Sequence, residues 1–229
     1  MTRIVYKTPD FIIAYKPPGI PSQSDKSGDN DALSLLCAQL AALGEPSELF
    51  LVHRLDRVVG GLLVFARNKK SAALLSELVR DGELNKEYVA VVDGEAPGGE
   101  LSDFLVKDAV LGKALVVSAD KSGAKKALLE YENLSTVDYR SSKLSLVKIH
   151  LHTGRFHQIR AQFSSRNMPL FADKKYGSRK NGKSPALFAY RLAFSKGDLS
   201  ADVTLLPDLL ELPWSLFDPQ KYPEIQGES

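Results

Sequence analysis

The chain has 229 residues, of which 44% are hydrophobic and 25% are charged. A chain of this size and composition can bury a sizeable core, as one large domain or as two fused subdomains. Its formal net charge of +2 is too small to indicate nucleic-acid binding by itself, because neutralising phosphates requires local clusters of Lys and Arg. The composition therefore predicts an ordinary globular protein and directs attention to local charge.

The start of the chain predicts neither a secretory signal nor a membrane span. Its sequence, MTRIVYKTPDFIIAYKPPG, interrupts every apolar run with a charged residue or a proline after a few positions, whereas both kinds of segment need a longer apolar run. We therefore expect a cytoplasmic location. The single cysteine, Cys37, lies among apolar residues, so an internal disulfide and a zinc site built from cysteines are excluded. We expect Cys37 to be buried in a helix.

Hydrophobic spacing in the first part of the chain predicts a series of short strands. They are expected at residues 3–6, 11–15, 49–52, 60–67 and 86–92. After the second of them, the sequence KPPG forces a turn, and a polar loop then runs as far as Asp31. In the last of these strands Tyr88 and Ala90 are expected to share one face.

Two helices are predicted between these strands. The first covers 32–43, where apolar residues keep helical spacing, with Asp29 or Asn30 as its N-cap. The second covers 69–80 and is stopped by Asp81 and Gly82, because glycine adopts the left-handed conformation that commonly terminates a helix.

The second part of the chain is predicted to be rich in antiparallel strands. The sequence SKLSLVKIHL (142–151) alternates apolar and polar residues almost strictly, as a half-buried strand should. The segment TGRFHQIRAQFSSRN that follows predicts a turn and a helix, with Thr153 as a cap and Asn167 near its end. Strands are also expected within 100–141 and at 186–194 and 201–205, before a proline-containing tail that ends in QGES. With no internal repeat or low-complexity linker, residues 1–229 are predicted to form a single domain.

Two polar clusters follow predicted strands and combine charge with tight turns: HRLDR (53–57) and HTGRFHQIR (152–160). A carboxylate such as that of Asp56 can be held ionised by an opposing guanidinium, which lowers its pKa and orients its oxygens. Arg160, one helical turn beyond His157, could supply that guanidinium. The alternative is that these clusters form ion pairs that only tie two elements together.

A basic patch occurs in DKKYGSRKNGKS, a Gly/Ser-rich stretch that predicts an exposed loop. Phosphate contact and simple solvation both explain such a run. Its cations are Lys174, Lys175, Arg179, Lys180 and Lys183.

Other reaction classes lack their sequence patterns. His150 and His152 lie two apart on a predicted strand and could supply two metal ligands, but no third ligand follows at recognisable spacing, and HExxH is absent. The chain also lacks G-x-S-x-G, the P-loop pattern and G-x-G-x-x-G. We therefore expect no metal site.

At this point the motifs resemble those of the RluA-type family of RNA pseudouridine synthases. LVHRLDRVVGGLLVFARN resembles the catalytic-loop motif of the family, KEYVAVVDG the strand that carries its active-site tyrosine, and LHTGRFHQIRAQF its arginine-bearing motif. FIIAYKPPGIPSQ, MPLFADKKYG and PALFAYRLAF also resemble family segments in the same order. The resemblance therefore spans nearly the whole chain.

The resemblance implies roles for individual residues at matching positions. Asp56 is implied as the catalytic carboxylate, Tyr88 as the residue packed against the target base, and Arg160 as the partner of Asp56. Arg54 matches an arginine that helps to extrude the base. The residues expected to contact RNA are Arg54, His53, Arg155, His157, Lys174, Lys175, Arg179 and Lys180.

The resemblance also implies the fold and the activity. The expected fold is α+β, with a mixed, largely antiparallel sheet around a central catalytic cleft and helices flanking it. The expected activity is isomerisation of specific uridines in ribosomal or transfer RNA to pseudouridine, using an aspartate and a flipped-out base. No cofactor, metal or membrane is expected, the RNA is the expected partner, and the protein is expected to be a monomer. We expect no separate RNA-binding domain of the S4 type, because the resemblance begins near Phe11.

Two departures from the family pattern leave alternatives open. Val58 and Val59 replace the usual Thr-Ser, and Phe188 stands where the late strand often carries histidine. One rival hypothesis is an RNA-binding protein that kept the scaffold but lost catalysis. A second is a sugar-processing hydrolase that uses Asp56, although no second carboxylate is obvious near either cluster. The sequence leaves open which RNA is modified, and whether Asp56 attacks C1′ or removes a C2′ proton.

Overall fold

The computed structural model describes residues 2–25 and 28–218, so the QGES end of the chain lies outside the described residues. The helices are α1 (Ala32–Ala42), α2 (Lys69–Asp81) and α3 (Gln158–Ser164), and short 3₁₀ turns cover Lys174–Tyr176 and Trp214–Leu216. The strands are β1 (Arg3–Lys7), β2 (Phe11–Lys16), β3 (Phe50–Leu51), β4 (Gly60–Ala66), β5 (Asn85–Asp93), β6 (Gly99–Asp108), β7 (Lys113–Val117), β8 (Lys125–Tyr139), β9 (Ser142–Leu151), β10 (Leu187–Lys196) and β11 (Leu199–Thr204).

The chain divides into two compact units. Unit 1 comprises Met1–Lys86 and Ala189–Pro207, and unit 2 comprises Glu87–Phe188 and Asp208–Ser229. Each unit is therefore built from two separate stretches of the chain, with the crossings inside β5 and β10. Composition had allowed two fused subdomains as well as one domain, and the single domain over 1–229 stays a prediction.

Unit 1 is organised around the strand order β1-β2-β4-β10, with β11 paired to β10 and β3 paired to β4. Strands β2 and β4 are antiparallel, and their register runs from Phe11 opposite Ala66 to Lys16 opposite Gly61. Strand β4 is buried along its whole length, which explains why its sequence, GGLLVFA, shows no alternation between apolar and polar residues. The hydrophobic run predicted over 60–67 is thus confirmed as a central strand.

Helix α2 covers one face of this sheet. Its buried Leu75 and Leu78 belong to the same apolar cluster as Phe11, Leu62 and Phe194 from three strands. Leucines three positions apart lie on one side of a helix, so the spacing in the sequence translates directly into this packing. Asp81 is the last residue of the helix and does not stop it as predicted, whereas Gly82 follows in the left-handed conformation, as predicted.

Helix α1 has a different N-cap from the one predicted. The capping residue is Asp31, whose carboxylate accepts hydrogen bonds from the backbone N–H of Ser34 at 2.9 Å and from the hydroxyl of Ser24 at 3.0 Å. Asp29 and Asn30 were both plausible because Asp and Asn are equally good caps, and only the path of the polar loop decides among them. Cys37 is half-buried on this helix, not buried as expected.

Gly61 allows two strands of unit 1 to approach closely. Its φ of +133° is rare for residues with a side chain, and a Cβ there would lie 2.4 Å from the carbonyl oxygen of Ala189. We expect Gly61→Ala to lower the free energy of unfolding by about 3 kcal/mol, because backbone strain and a clash with backbone atoms add together. Urea denaturation of the two proteins measures this difference.

Gly197→Ala is the matched control for that experiment. Gly197 also has a positive φ, +58°, but a Cβ there would meet no atom within 4 Å. Only the conformational cost of about 1 kcal/mol is then expected. Equal losses in the two variants would contradict the close approach at Gly61.

Unit 2 is built on the strand order β5-β9-β8-β6-β7. All four neighbouring pairs are antiparallel, and β9 has the bounds predicted from its alternating sequence. Helix α3 packs on β6, β7 and β8 through an apolar cluster that contains Leu105, Ala114, Ala127 and Ala161. The antiparallel character predicted for this half of the chain is therefore confirmed.

Helix α3 is much shorter than predicted and has another start. Thr153 does not cap it: the Thr153 hydroxyl donates to the side-chain oxygen of Gln158 at 2.7 Å and accepts from the N–H of Leu128 at 2.8 Å. His157, with φ of +50°, precedes the first helical residue. These side-chain hydrogen bonds hold the segment before Gln158. The left-handed conformation of His157 prevents the helix from starting earlier, and the local sequence did not indicate this.

The two units together confirm the predicted fold class. Strands and helices form an α+β architecture. The β2–β4 pair and the four strand pairs of unit 2 are antiparallel, and α2 and α3 each lie on strands of their own unit. Within the described residues, no helix is long and apolar enough to cross a membrane. The central catalytic cleft remains a prediction.

Candidate active site

Asp56 lies in the short connection between β3 and β4 of unit 1, as predicted from the strand-loop-strand pattern. The N–H of Val59 donates to the backbone carbonyl of Asp56 at 3.0 Å, which closes a tight turn. The side chain of Asp56 is half-buried. A carboxylate is thus presented at the end of a buried strand by a short, hydrogen-bonded loop.

Lys16 fixes this loop from inside unit 1. Its side chain is fully buried, and its ammonium donates to the carbonyl oxygens of Pro17, Ile20 and Arg57 at 3.0, 2.9 and 3.2 Å. Burial lowers the pKa of Lys16 to about 7, while the negative charge of Asp56 opposes part of that shift. Lys16 is not predicted from the sequence as a residue of the site; it stands directly before the two prolines of KPPG.

A second set of contacts ties the KPPG loop to the loop of Asp56. The N–H of Gly19 donates to the carbonyl of Arg57 at 2.8 Å, and Nε of Arg57 donates back to the carbonyl of Gly19 at 3.0 Å. The hydroxyl of Ser22 likewise accepts from the N–H of Leu55 at 3.0 Å. Residues on both sides of Asp56 are therefore anchored to the early loop.

His53 is buried in unit 1, where its ring is hydrogen-bonded to the backbone. Its Nε2 accepts a hydrogen bond from the N–H of Val64 at 3.2 Å, and its Nδ1 has no partner among the described residues. Burial lowers the pKa of His53 to about 3, with a smaller effect from the charge of Lys86. This placement favours a structural role over the RNA contact predicted for His53, because a buried neutral ring neither reaches nor attracts a phosphate.

The burial of His53 predicts a pH-dependent stability. Its pKa is about 3 in the folded protein and about 6.5 when unfolded, so below pH 6.5 the unfolded chain binds a proton that the folded protein excludes. Stability is therefore lost as the pH falls from about 6.5 towards 3, by up to about 1.4 kcal/mol per pH unit. Urea denaturation at pH 7, 6 and 5 should show this slope, and His53→Gln, which keeps an acceptor for Val64, should reduce it. An unchanged slope in His53→Gln, with His152→Gln as the exposed control, would argue against the effect.

Two residues on either side of Asp56 face different environments. Arg54 is exposed, whereas Val59 is buried with 2% of its surface accessible. The replacement of the family's usual Thr-Ser thus places one apolar side chain in the core, where it needs no hydrogen-bond partner. Arg54 remains available for the RNA contact that the sequence predicts.

In unit 2, Arg160 forms a bidentate ion pair with Asp173. Nε and Nη2 of Arg160 donate to the two carboxylate oxygens at 2.7 and 2.8 Å, and both side chains are almost completely buried. The guanidinium carbon also lies 4.9 Å from the ring centre of Tyr176. Sequence reasoning missed Asp173 and Tyr176, although both belong to the quoted segment MPLFADKKYG. The predicted pair between Arg160 and Asp56 stays a prediction.

Tyr88 lies in β5 of unit 2, opposite Ile149 of β9. Its side chain is buried, with 6% of its surface accessible. On the same strand, Glu87 lies 3.7 Å from the ammonium of Lys148. Contact of Tyr88 with a target base stays a prediction.

His157 is part of an aromatic stack at the start of α3. Its ring lies 3.8 Å from that of Phe156, nearly parallel to it, and its Nδ1 lies 3.0 Å from the hydroxyl of Tyr176. Burial, followed by the charge of Arg160, lowers the pKa of His157 to about 3. A neutral His157 can contact RNA through its ring but not as a cation.

The other residues predicted to contact RNA differ in exposure and in the partners that their cationic groups already have. Lys175 and Arg179 are exposed. Lys174 donates to the side chain of Asn181 at 2.8 Å, and Arg155 donates through Nε to a backbone carbonyl. Lys180 is partly buried, beside Asp93 at 3.7 Å and hydrogen-bonded to a serine hydroxyl, so a phosphate would have to compete with these partners.

Histidines 150 and 152 pack against each other edge to face, with ring centres 4.7 Å apart. Across the residues that the structure describes, no group of three or more His, Cys, Asp or Glu side chains is placed to hold a metal ion. Of the residues with implied catalytic roles, unit 1 carries Asp56 and unit 2 carries Tyr88 and Arg160. Their meeting in one cleft is a prediction of the family resemblance.

A family model described as RNA pseudouridylate synthase matches residues 10–165 of this chain. The chain belongs to this family. The RluA-type resemblance is thereby confirmed, and the matched region contains Asp56, Tyr88 and Arg160. The reaction of the family is an isomerisation of uridine to pseudouridine.

Curated relatives agree with this family membership. The chain is 33% identical to "tRNA pseudouridine synthase C" of Haemophilus ducreyi, over 76% of this chain and 73% of that protein. It is 33% identical to "Ribosomal large subunit pseudouridine synthase C" of Buchnera aphidicola and 31% identical to "Ribosomal large subunit pseudouridine synthase D" of Borreliella burgdorferi, over 77% and 76% of this chain. The match spans only 54% of each of those two proteins, about half of their length.

Solved structures show the same fold. "Human RNA Pseudouridylate Synthase Domain Containing 1" superimposes with a TM-score of 0.77 at 21% identity, covering 93% of this chain and 86% of that one. "Human RNA Pseudouridylate Synthase Domain Containing 4" superimposes with a TM-score of 0.73 at 22% identity, covering 90% of this chain and 89% of that one. These likenesses support the architecture of the family.

Proposed function

We propose that this protein is an RNA pseudouridine synthase that isomerises specific uridines of ribosomal or transfer RNA, with Asp56 as its catalytic carboxylate. The observation that carries the proposal is the family match over residues 10–165, which includes Asp56 on its anchored loop together with Tyr88 and Arg160. The substrate class rests on relatives whose names specify transfer RNA or the large ribosomal subunit.

The chemistry of this isomerisation suits a single carboxylate. The bond from N1 of uracil to C1′ breaks, a bond from C5 to C1′ forms, the C5 proton leaves to water and N1 gains a proton. Because substrate and product are isomers, no redox partner takes part. Asp56 either attacks C1′ or removes the C2′ proton, and both routes require it ionised, while uracil leaves as a delocalised anion.

The remaining residues act on the position of the base and of the carboxylate. A uridine must leave its stack to react, which costs a few kcal/mol that contacts with RNA offset. Tyr88 packs against the extruded base, and Arg54 fills the vacated stack or grips a phosphate. Arg160 orients Asp56 and stabilises its charge. The protein works in the cytoplasm, as a monomer.

Release of tritium tests the proposal directly. Purified protein is incubated with unmodified cellular RNA labelled with tritium at C5 of uridine, and tritium in water is measured, because the C5 hydrogen is lost when C5 bonds to C1′. We expect release from one RNA class, followed by mapping of the modified position. No release from any RNA, with binding intact, would favour a binding protein without catalysis, whereas free uracil would indicate a hydrolase.

A further inference from the structure

Unit 2 exposes an aromatic side chain beside α3. Phe156 has 40% of its surface accessible, and its ring is stacked on that of His157 with an angle of 19° between the planes. Stacking on a partly buried neighbour restricts the orientation of an exposed ring. The ring of Phe156 is therefore an exposed aromatic surface with a restricted orientation.

The layer beneath Phe156 is itself fixed by hydrogen bonds. The Nδ1 of His157 lies 3.0 Å from the hydroxyl of Tyr176, and that hydroxyl accepts from the N–H of Ala114 on β7 at 2.7 Å. The rings of His157 and Tyr176 meet edge to face, with centres 5.7 Å apart. Three aromatic rings thus form a platform that is anchored to the sheet and ends at solvent with Phe156.

Three lysines from separate segments surround this platform. The ammonium of Lys107 lies 4.6 Å from the ring centre of Phe156, and that of Lys113 lies 5.8 Å from the ring centre of Tyr176. The ammonium of Lys175 lies 3.1 Å from where a Cβ on Gly112 would be, at the turn between β6 and β7.

In the described part of the chain, no carboxylate is paired with these lysines. Within the described residues, none of the three forms an ion pair with a carboxylate, whereas Lys143 and Lys196 do. The nearby Asp108 turns its carboxylate into the hairpin, where it accepts the N–H groups of Val110 and Leu111. Unpaired cations gathered on one surface attract phosphates.

The tip of the same hairpin is apolar and exposed. Val110 has 96% of its surface accessible and Leu111 has 55%. Apolar side chains next to unpaired lysines suit a partner that offers both charge and flat apolar faces. Nucleic acid has both, since its phosphates are anionic and its unpaired bases present aromatic faces.

We propose that unit 2 stacks an unpaired RNA base on Phe156 and holds the flanking phosphates with Lys107, Lys113 and Lys175. The site lies outside the residues assigned to catalysis and adds a binding surface for single-stranded substrate RNA; it rests on the proposed function because it takes RNA as the partner. When a base stacks, the ammonium of Lys107 moves from the ring to a phosphate. A paired base cannot use this site, since its faces are covered by its neighbours in the helix.

Binding of a short single-stranded RNA that contains 2-aminopurine tests the stacking. Phe156→Leu keeps an apolar side chain but removes the ring, so we expect a dissociation constant about 5- to 150-fold higher and loss of the fluorescence quenching that stacking causes. Tyr6→Leu is the matched control, because Tyr6 of unit 1 has a similar exposed fraction, 42%, and should leave both values unchanged. Duplex RNA should bind the wild type and Phe156→Leu equally.

The salt dependence of binding tests the lysines. Replacing Lys107, Lys113 and Lys175 together by Ala should reduce the slope of log K against log salt concentration by about 2, since each phosphate contact to a single strand contributes about 0.7. Replacing the exposed Lys69, Lys70 and Lys121 is the control of equal charge.

Several outcomes would overturn the inference. One is that Phe156→Leu binds the RNA with wild-type affinity and wild-type fluorescence quenching. A second is that the two triple variants change the salt slope equally. A third is that polyglutamate displaces the bound RNA as effectively as unlabelled RNA does. Failure of the proposed function would be seen in a different experiment, the tritium assay, as absence of tritium release by the wild type. A wild type that releases tritium while Phe156→Leu binds normally would therefore refute only the stacking site.

Discussion

Asp56→Asn should abolish tritium release while RNA binding stays within about twofold of the wild type. An amide of nearly the same shape can neither attack C1′ nor accept the C2′ proton, so a loss of about four orders of magnitude in turnover is expected, as for other enzymes that lose their central reacting group. Single-turnover assays with labelled RNA measure the rate, and filter binding measures the affinity. The anchored loop around Asp56 should persist, because its hydrogen bonds use backbone atoms of Arg57 and Leu55.

Asp198→Asn is the matched control for Asp56→Asn. Asp198 is exposed in the turn between β10 and β11 of the same unit, and the change removes the same charge. Turnover by Asp198→Asn should equal that of the wild type. If Asp56→Asn retained even a tenth of the wild-type rate, Asp56 would not be the reacting carboxylate.

Arg160→Met should lower the free energy of unfolding by about 3–5 kcal/mol. Removing the guanidinium leaves the carboxylate of Asp173 buried and without its bidentate partner, and an uncompensated buried charge is strongly destabilising. Urea denaturation measures the change. Arg166→Met is the control, because Arg166 pairs with Asp103 nearer to solvent, and a loss of about 1 kcal/mol is expected there.

A double variant separates the structural role of Arg160 from its catalytic role. In Arg160→Met with Asp173→Leu, both charges are replaced by apolar side chains, which should recover most of the lost stability. Turnover should remain absent, because the guanidinium proposed to orient Asp56 is missing from this variant. A stable double variant with wild-type turnover would show that Arg160 serves only to hold Asp173.

Several local elements and the family could be predicted from the sequence alone. Strand β9 was predicted with its observed bounds because alternation of apolar and polar residues is a local property. The end of α2 at Gly82 followed from the conformational freedom of glycine. Asp56 was placed on a loop between two strands because short apolar runs flank HRLDR, although only β4 is buried throughout and β3 is half-buried. The order of six motifs predicted the family, and the match over residues 10–165 confirmed it.

The partners of the polar side chains could not be predicted from the sequence and depend on the three-dimensional fold. Asp173, thirteen positions beyond Arg160, became its ion-pair partner, and Lys16 reached a carbonyl forty-one positions away at Arg57. His53 is buried, and its ring accepts the N–H of Val64 on strand β4; its contact with RNA stays a prediction. Local patterns carry no information on such contacts, since burial and hydrogen bonding depend on which distant segments the fold brings together.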